Sequence, residues 1–310
     1  MQRLASIDVG SNTLRLLIAE PGSSAPLRPT RVERRITRLG ERFLPTKTLQ
    51  PRAIERSIAA LKEFGDLMGQ GGVSEYLAGA TAVVREAGNG GHFLNMVQDQ
   101  VGLRIRILSG SDEARLSLLG VASVIPSFEG PMAVFDIGGG STELIWRAAQ
   151  GSNPVESLSL PVGVVHLTEA FLQEDPPGFE ACGRLRRQVS GVLKRLSLPE
   201  NLHETLWVGT AGTATTLASM HLRLQAYDPD RINGQVLDRG WLEEQCDGLA
   251  QMAIAERRKL PGLEPGREDI ILAGALVTVE LMERFGFCQF TVSDAGLLEG
   301  LFFELCESLG

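Results

Sequence analysis

Two short stretches of the chain place an aspartate directly before a run of small residues. Asp8 and Asp136 each end an apolar segment, and a second apolar segment begins a few residues later. This pattern predicts a β-hairpin whose tight turn needs the backbone freedom of glycine. Such a turn can present backbone N–H groups and hydroxyls to an anion, and the carboxylate beside it can hold a metal ion or orient a water molecule. The turn residues are Ser11, Asn12 and Thr13 in the first copy and Gly138, Gly139, Gly140, Ser141 and Thr142 in the second.

The repeat divides the chain into two domain-sized halves, which argues against a short-period solenoid. Two such hairpins that face each other across a cleft would form a two-sided phosphate clamp. For either copy alone the alternative is an ordinary hairpin turn, but the same order of aspartate, glycine and hydroxyl residues in both copies favours the clamp. Other phosphate-binding motifs are missing from the sequence. No lysine follows a glycine, as a P-loop requires, and the triple glycine lacks the Gly-x-Gly-x-x-Gly spacing.

A third candidate anion site lies where an apolar strand runs into a glycine-containing loop and then a helix. Residues 206–208 are apolar, and a helical pattern follows the loop as far as Met220. The N-terminus of that helix would direct its N–H groups toward a phosphate or a nucleotide. The loop residues are Gly209, Thr210, Ala211, Gly212 and Thr213.

Glu113 is the candidate general base, because it opens a predicted helix just before the expected boundary between the halves. An acidic residue in the first turn of a helix is often only part of a cap, and Ser111 could supply that cap. In a cleft beside Asp136 and Glu143, however, a third carboxylate would be costly without a cation. The set of carboxylates therefore predicts Mg²⁺ as a cofactor.

The composition indicates an ordinary soluble protein. The chain has 310 residues, of which 43% are hydrophobic, and this length favours two domains. Its formal net charge of −8 argues against nonspecific binding to nucleic acid or to an anionic membrane. The longest apolar run, residues 270–279, is too short to cross a bilayer, and with no targeting segment visible we expect a cytoplasmic location. The four cysteines and four histidines show no ligand spacing, which predicts reduced thiols and no zinc site.

The order of predicted elements sets the domain boundary. Residues 1–125 combine strands and helices in an order that predicts a mixed sheet with helices on its faces. A linker is expected at residues 126–131, directly before the second hairpin. Residues 77–84 are predicted to be a buried strand that ends at Arg85, and residues 296–308 a final helix. The arginine-rich strand at residues 31–39 is either a solvated edge strand or a track for a long polyanion.

Five motifs of the chain occur in the order found in one known family. They are Asp8-Val9-Gly10-Ser11-Asn12-Thr13, Ala80-Thr81-Ala82-Val83-Val84-Arg85, Gly110-Ser111-Asp112-Glu113-Ala114-Arg115, Asp136-Ile137-Gly138-Gly139-Gly140-Ser141-Thr142-Glu143 and Gly209-Thr210-Ala211-Gly212-Thr213. Together they resemble the exopolyphosphatase / guanosine pentaphosphate phosphohydrolase (Ppx/GppA) family over nearly the whole chain. The resemblance implies an α/β fold with two ribonuclease-H-like domains, residues 1–125 and 126–310, of the actin, sugar-kinase and acetate-kinase superfold, with an active-site cleft between them.

The resemblance also implies a reaction, the Mg²⁺-dependent release of terminal orthophosphate from linear polyphosphate by an activated water. Glu113 looks like the base that activates the water, and Arg85 looks like the cation on the transferred phosphoryl group. Asp136 and Glu143 look like groups that bind the metal and orient water, with Asp8 as a further metal ligand. The two turns and the loop at residues 209–213 look like the backbone and hydroxyl cradle for phosphate. A homodimer is expected by family analogy.

Four alternatives stay open at the level of the sequence. The substrate could be guanosine pentaphosphate instead of polyphosphate. A kinase of the same superfold would use ATP and transfer phosphate to an acceptor other than water, although no acceptor-domain insertion is visible. An ATP-gated chaperone or filament protein is a third class, and a phosphate or alarmone sensor without turnover is a fourth. Glu113 discriminates against the sensor, because a sensor needs no base at that position.

Overall fold

The structure is a computed structural model in which the chain forms two compact units. It describes residues 2–22, 27, 29–44, 46–125, 130–147, 156–196 and 205–309. The first unit comprises Met1–Pro126 and Ala295–Gly310, and the second comprises Ser127–Asp294. Each unit is an α/β domain with its own mixed sheet and its own hydrophobic core.

The first unit is built on a central antiparallel hairpin extended by parallel strands. In chain order its elements are β1 (Arg3–Val9), β2 (Thr13–Ala19), β3 (Arg31–Ile36), α1 (Pro51–Gln70), β4 (Val73–Ala80), α2 (Ala82–Glu86), α3 (Gly90–Val101), β5 (Arg106–Ile107) and α4 (Gly110–Ala122). The strand order is β3-β2-β1-β4-β5. The pairs β1–β2 and β2–β3 are antiparallel, whereas β4 pairs in parallel with β1 and with β5. The loops after β1, β4 and β5 therefore leave the sheet at the same edge.

Helix α1 covers one face of this sheet, and its position follows from its sequence. Pro51 occupies the first turn, where its missing N–H costs no hydrogen bond. Ile54, Ile58, Leu61 and Phe64 recur at helical spacing and are buried in the core beneath the sheet. The apolar period therefore fixes both the helix and the face that it buries.

The second unit repeats this plan with one additional edge strand. Its elements are β6 (Met132–Ile137), β7 (Thr142–Arg147), β8 (Glu156–Leu160), α5 (Val164–Phe171), α6 (Gly178–Leu193), β9 (Leu206–Thr210), α7 (Ala211–His221), α8 (Pro229–Ile232), β10 (Val236–Asp238), α9 (Arg239–Gln251), α10 (Ile254–Arg257), α11 (Ile271–Phe285) and β11 (Gln289–Val292). The strand order is β10-β11-β9-β6-β7-β8. Strands β11, β9 and β6 are parallel, so their carboxyl ends are neighbours at one edge of the sheet. Apart from β10, the order matches that of the first unit strand for strand.

Helix α11 lies in the core of the second unit and is buried at every position from Ile271 to Met282. This burial explains the long apolar run in the sequence, which is a core helix and not a membrane span. Across all the helices that the structure describes, none combines the length and the apolar character needed to cross a membrane.

The final helix, α12 (Leu297–Leu309), returns to the first unit. Leu298 and Phe302 pack with Leu4 and Leu17 on the face of the sheet opposite α1. The C-terminal segment packs closely against α4 at two glycines. A β-carbon on Gly120 would lie 1.9 Å from the Gly296 carbonyl oxygen, and one on Gly300 would lie 1.9 Å from the Leu116 carbonyl oxygen.

This position of α12 corrects the predicted domain division for the last residues of the chain. The prediction placed residues 126–310 in one C-terminal domain, but residues 295–310 belong to the first unit. The physical reason is that an apolar helical period specifies a buried face without specifying which of two similar sheets will cover it. Most of the predicted linker, residues 126–129, lies outside the described residues.

Two predicted strands end earlier than expected, and one strand was missed. The predicted strand at residues 77–84 stops at Ala80, and Val83 and Val84 are buried in the short helix α2, which also carries Arg85. Strand β3 ends at Ile36 instead of residue 39. Strand β10 was not predicted, because its three residues are too few to show a period.

Candidate active-site residues in the two units

The first predicted turn, at residues 10–13, joins β1 to β2 and is stabilised by its own backbone. The Gly10 N–H donates a hydrogen bond to the Thr13 carbonyl oxygen at 3.1 Å. A second segment supports the turn from outside. The N–H groups of Thr37 and Arg38 both donate to the Asn12 carbonyl oxygen, at 3.0 and 2.9 Å, and the Gly40 N–H donates to the Ser11 carbonyl oxygen at 2.7 Å. The predicted turn therefore exists, and the loop after β3 fixes its shape.

Asp8 lies at the base of this turn and is a buried carboxyl group. Its Oδ1 atom is enclosed and accepts no hydrogen bond from any residue that the structure describes. Burial raises the pKa of Asp8 from 3.8 to about 6, while the charge of Arg15 acts in the opposite direction. Arg15 is the direct cross-strand neighbour of Asp8. A buried polar oxygen of this kind is a suitable ligand for a cation or for an ordered water.

Arg15 in turn contacts the last helix of the chain. Its Nη2 atom lies 3.9 Å from Oε1 of Glu299, and both side chains are about 90% buried. The other oxygen of Glu299 accepts a hydrogen bond from the Gly296 N–H at 2.8 Å. Arg15 thus lies beside two buried carboxyl groups, Asp8 across the strand pair and Glu299 on the last helix. Neither Arg15 nor Glu299 belongs to the five sequence motifs.

The structure brings together two residues predicted to be catalytic, Glu113 and Arg85. Arg85 Nη1 donates to Oε2 of Glu113 at 2.7 Å and also to the Leu108 carbonyl oxygen at 2.7 Å. Glu113 is buried, with 7% of its surface exposed. The helix that carries it is capped by Ser109, whose hydroxyl accepts the Asp112 N–H, and not by Ser111, which the sequence suggested as a possible cap. With Ser109 as the cap, the side chain of Glu113 is committed to Arg85.

The second predicted turn, at residues 138–141, has the same backbone bond as the first. The Gly138 N–H donates to the Ser141 carbonyl oxygen at 2.9 Å. The N–H groups of Val164 and Val165 donate to the carbonyl oxygens of Gly138 and Gly139, at 3.0 and 2.9 Å. Gly163 lies so close to the turn that a β-carbon there would be 2.2 Å from the carbonyl carbon of Gly140. The N-terminus of α5 therefore supports this turn at close range.

Asp136 and Glu143 are direct cross-strand neighbours at the base of the second turn. Both are half-buried, and Oε1 of Glu143 accepts a hydrogen bond from the Ser159 hydroxyl at 2.9 Å. Carboxylates at directly opposed positions of an antiparallel pair project from the same face, with β-carbons about 5 Å apart. This donor pair fits Mg²⁺, which binds through one or two carboxylates together with waters and substrate phosphates. Within the residues described, no three His, Cys, Asp or Glu side chains are grouped so as to hold a metal ion by themselves.

Two hydroxyl groups that were predicted to contact phosphate donate to backbone carbonyl oxygens of the second unit instead. Thr142 is fully buried and donates its hydroxyl to the Val162 carbonyl oxygen at 2.6 Å. Thr213 is 97% buried and donates to the Ile137 carbonyl oxygen at 2.9 Å. At these two positions the hydroxyl stabilises the loop, so only the backbone remains to contact a ligand.

The predicted loop at residues 209–213 forms the connection between β9 and α7. Ala211 adopts a left-handed conformation, with φ of 59°, at the first position of the helix. The guanidinium of Arg267 packs against Gly212, where a β-carbon would lie 2.1 Å from Nη2. Arg267 is 93% buried and donates from Nε to Oε2 of Glu264 at 2.6 Å. Arg267 was not predicted from the sequence, because no motif connects residue 267 to a loop more than fifty positions earlier.

Two mixed sheets with the same strand order, each with the same glycine turn after its first strand, define the class of protein. The chain consists of two ribonuclease-H-like α/β domains, each of which carries a glycine-containing turn between its first two strands. The comparisons with known proteins agree. A model of the Ppx/GppA phosphatase family matches residues 18–309.

Three relatives illustrate the similarity. Exopolyphosphatase 2 of Mycobacterium tuberculosis is 34% identical over 98% of this chain and 99% of its own length. Exopolyphosphatase 1 of Mycobacterium leprae is 30% identical over 99% of this chain and 90% of its own. The crystal structure of the Aquifex aeolicus member of the Ppx/GppA family has a TM-score of 0.81 and 34% identity, and covers 100% of this chain and 99% of that one. The chain therefore belongs to the Ppx/GppA phosphatase family and is a phosphoanhydride hydrolase.

Proposed function

We propose that the protein is an exopolyphosphatase that releases terminal orthophosphate from linear inorganic polyphosphate. The single observation that carries the proposal is the Arg85–Glu113 pair, in which a buried carboxylate and a half-buried guanidinium are joined at 2.7 Å. Relatives named exopolyphosphatase match this chain over nearly its whole length, which supports the same substrate class. Phosphoryl transfer needs few covalent steps, so positioning, charge neutralisation and an oriented nucleophile account for most of its catalysis.

The proposed role of Glu113 is to accept the proton of the attacking water. Its bond to Arg85 fixes the carboxylate and occupies Oε2, one of the two oxygens that could accept the proton. A substrate phosphate is a dianionic competitor for the same guanidinium. Transfer of Arg85 to the phosphoryl group would therefore place the cation on the developing charge and release Glu113 to act as a base. In this mechanism the resting salt bridge prevents proton abstraction until a phosphate arrives.

The proposed cofactor is Mg²⁺, with Asp136 and Glu143 as the residues that would hold it and Asp8 as a further ligand. When bound, the ion would neutralise phosphate charge and polarise the phosphoryl oxygen. The side chains themselves orient water and keep a local negative charge where a hydrated cation is needed. The backbone N–H groups of the two turns and of the loop at residues 209–213 would contact the phosphate oxygens.

Replacement of Glu113 by glutamine tests the proposal. Glu113→Gln keeps a side-chain oxygen for Arg85 but removes the base, so we expect turnover of polyphosphate to fall by about 10²- to 10⁴-fold. Binding of polyphosphate should change little. Asp112→Asn is the matched control, because Asp112 is a half-buried carboxylate in the same helical turn whose side-chain bond is to Ser109 and not to Arg85. The measurement is phosphate release with Mg²⁺, together with polyphosphate binding by calorimetry.

The substrates are compared in the same assay. Faster release from polyphosphate than from guanosine pentaphosphate supports the proposal, and the opposite ranking makes the protein a guanosine pentaphosphate phosphohydrolase. If phosphate is released from neither compound, the hydrolase proposal fails, and an ATP-dependent kinase or a sensor remains. A homodimer and a cytoplasmic location are further expectations of the family, which sedimentation and cell fractionation would test.

A further inference from the structure

A cavity of about 370 Å³ lies among helices α6, α9 and α11 of the second unit. Cavities of this size are typical of small-molecule sites in proteins. None of the residues that line it belongs to the candidate catalytic or phosphate-binding residues, so the proposed reaction does not use it. The side chains of its wall indicate what it could hold.

The buried part of the wall is apolar and neutral. Leu276 and Val279 lie one turn apart on α11, Ala250 lies on α9, and all three are buried. The buried thiols of Cys182 and Cys246 also line the cavity. Burial raises the pKa of both thiols, that of Cys246 to about 12, so both are protonated at neutral pH. This part of the wall therefore suits an apolar ring or chain.

The charged groups of the wall leave an excess of negative charge. Arg186 is neutralised by two carboxylates of α11, since its Nε donates to Glu280 at 2.6 Å and its Nη2 donates to Glu283 at 3.0 Å. Glu243 pairs with an exposed arginine of its own helix, and exposed pairs of this kind are weak. The carboxylate of Asp247 has no hydrogen-bond donor or ion-pair partner among the described residues. A positively charged group would therefore complement the wall.

Two residues of α6 keep the cavity accessible. Phe179 is 55% exposed, and the face of an exposed aromatic ring attracts a cation. Gly183, one turn later, is less favourable than alanine inside a helix. Close packing does not require this glycine, because among the described residues a β-carbon there would have only Arg187 Nη1 within 4 Å, at 3.6 Å. The absence of a side chain at position 183 leaves room for a ligand.

We propose that this cavity is a binding site for a small organic cation, a protonated amine carried on an apolar body. The body would lie on the buried apolar wall, and the amine would lie near Asp247 and the ring of Phe179. A metal ion is a poorer occupant, because the described residues include no group of three His, Cys, Asp or Glu side chains that could hold one. The competing explanation is that the cavity is a gap in helix packing without affinity for any ligand.

Binding of three indoles to the whole chain tests the charge of the ligand. On the same ring, tryptamine carries a protonated amine, tryptophol a neutral hydroxyl and indole-3-acetate a carboxylate. In titration calorimetry we expect tryptamine to bind most tightly and indole-3-acetate most weakly. Asp247→Asn should raise the dissociation constant of tryptamine by about 2- to 5-fold and leave that of tryptophol unchanged. Glu244→Gln, at an exposed acid of α9 that does not line the cavity, is the matched control and should change neither constant.

A leucine at position 183 tests the location of the site. In Gly183→Leu the new side chain should occupy the cavity and weaken both tryptamine and tryptophol by about 10-fold or more. The variant should stay folded, because leucine is more favourable than glycine inside a helix. Gly191→Leu makes the same change on α6 outside the cavity, where a β-carbon meets no described atom within 4 Å, and should bind both indoles as the wild type does.

Three outcomes would overturn the proposal. If no indole binds the wild type at about 1 mM, the cavity is only a gap in packing. If tryptamine and tryptophol bind equally and Asp247→Asn changes neither, the ligand is not a cation. If Gly191→Leu weakens binding as much as Gly183→Leu does, the indoles bind elsewhere. None of these measurements depends on hydrolysis of polyphosphate, so a failure of the proposed function would leave the test intact.

Discussion

The turn after β1 and the turn after β6 share a backbone hydrogen bond and a strand register but differ in the charge of the residue opposite the aspartate. In both, the aspartate pairs with the residue seven positions later, and the N–H of a glycine two positions after the aspartate donates to a carbonyl oxygen three residues on. The residue opposite the aspartate differs. It is Arg15 opposite Asp8 and Glu143 opposite Asp136. The two turns therefore differ in the sign of the charge at the position opposite the aspartate.

The difference shows how the charge is balanced in each unit. Asp8 is buried, and the charge of Arg15, which also lies beside Glu299, acts against the effect of that burial. Asp136 and Glu143 are half-buried cross-strand neighbours of like charge, and like charges directly opposite each other are unfavourable. The two aspartates therefore lie in different surroundings, a buried one opposite an arginine and a half-buried one opposite a second carboxylate.

The two turns also differ in how tightly they are supported, and this difference carries the largest expected effect. In Gly163→Ala the new β-carbon would overlap the backbone of Gly140 at 2.2 Å, so the second turn must move. In Gly40→Ala the nearest atoms, both of Ser11, are 3.3 Å from the β-carbon, so a small shift of side chain and backbone suffices. We expect Gly163→Ala to cost about 3 kcal/mol or more and Gly40→Ala about 1 kcal/mol or less.

Urea unfolding of the two variants checks this expectation, with phosphate release measured beside it. If the second turn binds phosphate as proposed, its displacement should reduce turnover by about 100-fold or more, since misplacement by about 1 Å has that effect. Equal stability of the two variants would mean that the second turn adapts as easily as the first. In that case the support by α5 would not be what fixes its geometry.

The charge opposite each aspartate gives the second prediction. Arg15→Met leaves Asp8 and Glu299 buried without their shared cation, which should destabilise the protein by about 3 kcal/mol. Glu143→Gln keeps an acceptor for Ser159 at a half-buried site, so its cost should be below about 0.5 kcal/mol. Its effect should appear instead as a higher Mg²⁺ concentration for half-maximal phosphate release.

Thermal unfolding with and without Mg²⁺ measures both the loss of stability in Arg15→Met and the weaker Mg²⁺ binding expected in Glu143→Gln. Added Mg²⁺ should raise the melting temperature of the wild type more than that of Glu143→Gln, because a bound ion stabilises the native state by mass action. The distinction between the two turns would be contradicted if Mg²⁺ raised the melting temperature of Glu143→Gln as much as that of the wild type and Arg15→Met lost little stability.

Features with a repeated pattern could be predicted from the sequence. The duplicated turn has a fixed order of aspartate, glycine and hydroxyl residues, and hairpin geometry follows from such an order. The start of α1 followed from Pro51 and the apolar period behind it. A catalytic role could be predicted for both Glu113 and Arg85, but their contact could not. The two residues belong to motifs on separate helices.

Features that depend on tertiary packing could not be predicted. Val83 and Val84 resemble the end of a strand, but the chain turns into α2 after Ala80, where the partner strand β1 also ends. The position of α12 and the contact of Arg267 with Gly212 both join residues far apart in the chain. The role of Arg15 depends on the cross-strand register, which is known only after the turn has been placed.

The smallest and most specific effect concerns the proton of Asp8. Burial raises its pKa from 3.8 to about 6, so between these values the native state binds more protons than the unfolded state. The stability that this carboxyl group contributes is therefore fully present below pH 3.8 and is lost as the pH rises to about 6. Asp8→Asn removes that dependence, and its stability relative to the wild type should increase across this range by at most about 3 kcal/mol.

Urea unfolding at pH 4.5 and at pH 7, in the presence of a chelator, measures the difference. Asp136→Asn is the matched comparison, because Asp136 occupies the same place in the second turn but is only half-buried and faces Glu143 instead of an arginine. If Asp8→Asn gains stability with pH and Asp136→Asn does not, the burial of Asp8 is the cause. If both variants show the same gain, the shared turn geometry is responsible, and the residue opposite each aspartate does not determine its charge. A constant difference for Asp8→Asn would mean that Arg15 already balances the ionised carboxylate at both pH values.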